Sequence, residues 1–282
     1  MLKKILLIIG LFLIVLCMAT LMLSCVSHYH PSAFQRNSFL KLEKTLNVIA
    51  CSDAKQSCIP INKWGSTASG AIIKNRFDGS YALTAAHVCD DNKVKKFINS
   101  FFIKNHPELQ VQYNLDFKAI TIDGKEYVAK VVAQDIENDI CVLWLEDCYN
   151  EAIPLSPSGP VPGDRAYNTA APLGIFAVGM VPLQEGIFNG DSKNKAFYSV
   201  PAIGGSSGSP IMNHKGELIG MIHSTYRSFN HLSLSPTYKD LSEFINNETQ
   251  KHIGVHMIDI YMKHLIKLKK ALTTEKLLLQ SQ

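Results

Sequence analysis

Three segments of the 282-residue sequence hold side chains that together could transfer an acyl group. "GGSSGSP" at 204–210 presents Ser207 between Gly205 and Gly208, "LTAAHVC" at 83–89 presents His87, and "NDICVL" at 138–143 presents Asp139. A serine hydroxyl is a weak nucleophile until an imidazole takes its proton. The imidazole in turn needs a carboxylate to fix its tautomer and stabilise its charged form. Glycine at 205 and 208 lets the chain turn tightly about Ser207, aiming the amides of Gly205 and Ser207 at one point where an oxyanion could develop. Each segment also has a plainer reading: a packed or solvated histidine, a strand-capping aspartate, a Gly-Ser turn. A phosphate nest is disfavoured, because no Gly-Lys-Ser/Thr follows and Pro210 leads into a strand. His87 and Cys89 are two donors and do not make a zinc site, and there is no His-Glu-x-x-His or Cys-x-x-Cys, so neither a metal nor another cofactor is expected.

The elements that must hold these residues read as β. From about residue 45 the chain runs in short apolar or alternating stretches, "TLNVIAC", "SGAIIK", "SYALTA" and "DICVLWLE", punctuated by Gly, Asn and Asp. "AITIDGKEYVAKV" places Asp-Gly between two β-rich stretches, a hairpin signal. "IPLSPSGPVPG" at 153–163 carries four prolines and marks a lobe boundary rather than a strand. Short strands resume beyond it, through "AFYSVPA", "GSPIMN" and "GELIGMIHS". The period then changes: "SPTYKDLSEFINN" opens on an N-cap candidate and spaces Leu241, Phe244 and Ile245 for a helix, and "VHMIDIYMKHLIKLKKALTTEKLLL" continues in helical spacing.

The order His87, Asp139, Ser207 is that of the chymotrypsin-like arrangement, and the motifs carry the resemblance. "LTAAHV" looks like the histidine motif of trypsin-like serine peptidases, "NDICVL" like their aspartate motif, and "GGSSGSP" like their serine motif, with "GELIGMIHS" standing where their substrate-binding strand follows. The resemblance covers about residues 60–245. It implies an all-β fold of two six-stranded antiparallel β-barrels with a C-terminal helix and a helical tail. The expected domains are a signal peptide or anchor (1–25), a linker (26–44), a first barrel (45–152) with His87 and Asp139, a second barrel (153–246) with Ser207 and the closing helix, and a basic amphipathic tail (247–282).

It also implies a serine endopeptidase in which Ser207 forms an acyl-enzyme, His87 acts as base and acid, Asp139 orients it, and the Gly205 and Ser207 amides hold the oxyanion. Where secreted trypsins carry an aspartate before the nucleophile this chain has Ser206, so activation by a newly released N-terminus is not expected. The pattern is closer to bacterial and phage peptidases of the HtrA and glutamyl-endopeptidase type, without a PDZ-sized domain after residue 245. Pro201, His223 and Ser224 fall in segments that shape the substrate pocket. Pro201 stands where trypsins hold the aspartate that selects Lys or Arg. His223 follows Gly220 by three residues rather than the two of glutamyl-specific relatives, which turns it toward the triad or the core. Alternatives are a membrane-anchored binding or assembly module on the same fold, or an esterase using the same triad. The α/β-hydrolase order Ser, Asp, His is absent.

"MLKK" followed by an uncharged apolar run at 5–23 enters a membrane at least transiently, leaving a lipidated Cys25, a retained anchor or ordinary cleavage as outcomes. Each puts the bulk of the chain outside the cytosol, in the periplasm or beyond, where cysteines oxidise. Cys51 and Cys58 flank a short polar loop and suit a bridge. If the triad brings His87 and Asp139 together, Cys89 and Cys141, two residues beyond each, also come close, with Cys148 the next partner for Cys89. A net charge of +4, much of it in the last thirty residues, gives no footprint for nucleic acid. The expected partners are a protein or peptide substrate and, through the N-terminus, a membrane.

Overall fold

The computed structural model describes residues 36–52, 57–90, 92–100, 109–226 and 228–251. The expected signal or anchor segment, Cys25 and the tail beyond 251 lie outside the described residues.

The first lobe is a closed antiparallel barrel in the order β1-β2-β3-β6-β5-β4, formed by β1 (Phe39–Ser52), β2 (Ser57–Arg76), β3 (Gly79–Ala85), β4 (Leu109–Thr121), β5 (Glu126–Asp135) and β6 (Ile140–Glu146). β1 begins at Phe39, six residues before the expected start of the barrel, because Leu40, Leu42, Leu46 and Val48 are buried at alternate or near-alternate positions while Glu43 and its like face outward. β3 and β6 are covered on both faces. Ala82, Leu143 and Leu145 face the barrel interior, and Tyr81, Val142 and Trp144 form a second layer on the opposite face. The Asp-Gly turn closes β4 onto β5: Gly124 has φ 83, and its N–H donates to the Thr121 carbonyl at 2.9 Å. Two short helices follow β3, α1 (Ala86–Cys89) and α2 (Asn92–Ile98).

The second lobe corrects the expectation of a second six-stranded barrel. It is an open, seven-stranded sheet in the order β11-β10-β7-β8-β9-β13-β12 that wraps 249° round its axis and leaves its edges 9 Å apart. Its strands are β7 (Arg165–Thr169), β8 (Leu183–Ser192), β9 (Lys195–Tyr198), β10 (Pro210–Met212), β11 (Leu218–Met221), β12 (Ser224–Tyr226) and β13 (Phe229–Pro236). The gap has a local cause. β11 and β12 are two pieces of one extended run interrupted at Ile222–His223. There the Ile222 N–H donates to Ser209 on the β10 side, whereas the His223 N–H donates to Leu234 of β13. One run therefore supplies both edges, crossing the opening where a closed barrel would need a ladder.

Residues 238–251 form α3. Thr237 caps it by the expected means: Oγ1 accepts the Asp240 N–H at 3.2 Å and donates to Asp240 Oδ2 at 2.6 Å. Leu241 and Ile245 enter the same buried cluster as Leu40, Leu143, Met212 and Met221, so one core joins the barrel, the second sheet and the helix.

Candidate active site

The pairing of β3 with β6 sets the geometry of His87 and Asp139. Ala85 ends β3 opposite Ile140, which begins β6, so the residues just beyond the two ends must meet. α1 is a single turn whose Ala86, Val88 and Cys89 are buried while the His87 side chain remains 44% exposed. Asp139 closes the turn into β6 with φ 57, a left-handed backbone that aspartate tolerates. Asp135 shapes that turn by accepting the N–H groups of Glu137 and Asn138, both at 3.0 Å. Asp139 then grips His87 with both oxygens: Oδ1 accepts the His87 N–H at 2.8 Å, and Oδ2 lies 2.7 Å from Nδ1. A carboxylate only accepts, so Nδ1 carries the hydrogen and Nε2 presents its lone pair outward. The Ala86 N–H adds a bond to the Asp139 carbonyl at 3.1 Å.

Ser207 lies in the loop between β9 and β10, tied to both lobes through its main chain. Its carbonyl accepts the Ser69 N–H at 2.8 Å, and the neighbouring Gly208 N–H donates to the Ile222 carbonyl at 2.6 Å. Gly205 and Gly208 have φ 97 and 85. A Cβ at 208 would collide with Thr84 Oγ1 and the Ser69 carbonyl, and one at 205 with the Ala171 carbonyl. The loop can approach β3 at 208 and the Ala171–Gly174 turn at 205 this closely only with glycine at these places. The hydrogen bonds of the His87 side chain among the described residues run to Asp139, and none joins it to Ser207 Oγ.

His223 is brought to Asp139. Its Nδ1 stands 3.7 Å from Asp139 Oδ2, and the side chain is 8% exposed. Burial lowers its pKa to about 4; Asp139 opposes that shift, and Lys195 and His87 reinforce it. The ring is therefore neutral near pH 7. His87, Asp139, His223 and Ser224 line one cleft of about 470 Å³, together with Lys193 and Lys195 at the β8–β9 turn. Pro201, half-buried in the segment before Ser207, and Gly205 and Ser207 themselves lie outside that lining.

Cys89 is disulfide-bonded to Cys141, and Cys51 to Cys58, whose positions pair across β1 and β2. Cys148 is a buried free thiol whose pKa burial pushes up. Among the described residues no group of three His, Cys, Asp or Glu side chains could hold a metal ion. Ser69 takes a part that none of the motifs announces. Fully buried, Ser69 donates from Oγ to the Gly205 carbonyl at 2.8 Å and accepts the Ala171 N–H at 2.9 Å. Thr84 Oγ1 donates to its carbonyl at 2.9 Å. Nothing in a lone serine between small residues signals three such partners.

The sheet order, the His–Asp pair beyond β3 and β6, and the glycine-framed serine define a class of fold and site that a family comparison also identifies. A model of the trypsin-like peptidase domain matches residues 68–221, more than half of the chain, and the chain belongs to that family. Among solved structures it is similar to the serine endoprotease from Yersinia pestis, with 19% identity and a TM-score of 0.51 over 73% of this chain and 62% of that one. The chain thus spans less than two thirds of that relative's length, and the likeness is one of fold. No curated protein sequence matches it.

Proposed function

We propose that the chain is a serine endopeptidase. Ser207 Oγ attacks the carbonyl carbon of a peptide bond while His87 Nε2 takes the hydroxyl proton. The tetrahedral oxyanion is met by the Gly205 and Ser207 amides. Collapse breaks the C–N bond, and the departing amine takes the proton from His87. Water, deprotonated by the same nitrogen, then hydrolyses the acyl-enzyme and returns Ser207 to its hydroxyl form. Asp139 holds the imidazole in the required tautomer throughout.

The observation that carries this reading is the two-oxygen grip of Asp139 on His87, which leaves Nε2 as the free base. Family membership supports a protein or peptide substrate. Neither the Gly205 nor the Ser207 N–H donates to a backbone carbonyl among the described residues, which suits both to an oxyanion. Two disulfides suit an oxidising, extracytosolic compartment, and the HtrA-like or glutamyl-specific subtype rests on the motifs alone.

A fluorophosphonate probe tests the nucleophile. Wild-type chain should label and cleave casein, and Ser207→Ala should do neither while keeping its melting temperature. Casein cleavage that persists in purified Ser207→Ala protein would overturn the assignment. Labelling without cleavage of any peptide would favour an esterase.

A further inference from the structure

Leu173 is a large apolar residue with φ 54 and ψ 21, in the left-handed region that branched aliphatic side chains rarely occupy. Its side chain is 69% exposed, so burial does not account for the conformation. Its main chain is engaged. The Leu173 N–H donates to the Gly204 carbonyl at 2.7 Å, and the turn around it closes through Gly174 N–H to Ala171 at 3.0 Å and Ile175 N–H to Pro172 at 2.9 Å. The base of this turn is fastened to Ser69 Oγ, which also holds the Gly205 carbonyl.

The Gly204 carbonyl and the Gly205 N–H are the two ends of one planar trans peptide and point in opposite directions. A donor that captures the carbonyl therefore fixes the direction of the N–H, facing it away from the 172–174 turn. Without that donor the peptide could rotate and turn the carbonyl, a negative dipole end, toward the place where an oxyanion develops. Gly205 permits the close approach: a Cβ there would lie 2.8 Å from the Leu173 nitrogen. Backbone held in a disfavoured region beside a reacting centre is where such constraint serves a mechanism.

We propose that Leu173 is a positioning residue whose left-handed backbone latches the Gly204 carbonyl and so aims the Gly205 amide at the oxyanion. The inference deepens the peptidase reading above and rests on it. It makes activity follow the tolerance of residue 173 for a left-handed backbone, whatever its side chain offers a substrate.

The test is a series at position 173, with kcat and KM measured on a peptide substrate per fluorophosphonate-titrated site, alongside melting temperatures. Leu173→Gly and Leu173→Asn keep kcat within about twofold of wild type. Leu173→Val, whose β-branch disfavours the left-handed region, lowers kcat about 10- to 100-fold at unchanged KM, a share of the roughly 10²–10³-fold that a lost oxyanion donor costs. The reverse order, Val above Asn and Gly with the loss carried in KM, marks an apolar substrate contact and overturns the latch. So does a fall in melting temperature with kcat per titrated site intact, which marks a merely structural role. Should the Val chain not fold, Leu173→Gly decides alone: wild-type kcat supports the latch, and a tenfold loss overturns it. Wild-type protein without Ser207-dependent labelling overturns the peptidase reading itself, and the latch with it.

Discussion

His223 places a second imidazole against the carboxylate that orients His87, and its burial gives that contact a pH dependence. The ring is desolvated, with Asp139 favouring its charge and Lys195 and His87 opposing it. An unfolded chain takes up a proton at this histidine near pH 6.5, whereas the folded chain does so only near pH 4. Between those values the unfolded state binds more protons, so stability is complete above pH 6.5 and is lost as pH falls toward 4. The loss amounts to about 3 kcal/mol across the window. Urea unfolding of wild type and His223→Gln at pH 7 and pH 4.5 measures it. The wild type should lose more stability between the two than the variant, and equal slopes would show that His223 does not titrate in this way. The motif spacing turned His223 toward the triad or the core. Which of these it meets was not legible, because the contact with Asp139 depends on β13 drawing the His223 N–H to Leu234.

At the scale of elements, the His–Asp pair was the most legible feature, since an antiparallel β3–β6 ladder brings its two flanking residues together whatever the loops do. The same ladder explains the Cys89–Cys141 bridge. Thr84 pairs with Cys141, and the single turn of α1 carries Cys89 back over the strand end. That bridge closes a segment of 52 residues, which contributes about 4 kcal/mol through the lost freedom of the unfolded chain. Replacing both cysteines by alanine should lower the stability by that order, and chemical denaturation at pH 7 checks it. A change under 1 kcal/mol would mean that the barrel alone constrains the two strand ends. The open second sheet was not legible, because nothing in "GMIHSTY" announces that the run changes partner at His223. The early start of β1 was legible and was missed: Leu40 and Leu42 alternate with Lys41 and Glu43 inside a segment read as linker.

Over the whole molecule, the incomplete closure of the second sheet raises the question of what holds the two lobes in register. Their buried cluster is continuous, running from Leu40 and Leu143 in the barrel through Tyr167, Met212 and Met221 to Leu241 and Ile245 of α3. Phe244 covers the outer layer of β3 and β6 beside Tyr81 and Trp144. α3 therefore acts as a brace that covers the barrel wall while sharing a core with the second sheet. The helix was expected from its spacing; its place against the barrel wall is a consequence of the fold. Leu241 is fully buried, so Leu241→Ala removes transfer energy and leaves a cavity, costing about 2–5 kcal/mol. Because the core is shared, calorimetry should show one transition for wild type and variant alike, moved to lower temperature in the variant, with calorimetric and van't Hoff enthalpies equal. Two resolved transitions in the variant, only one of them shifted, would mean that the lobes fold separately and that α3 braces one of them alone.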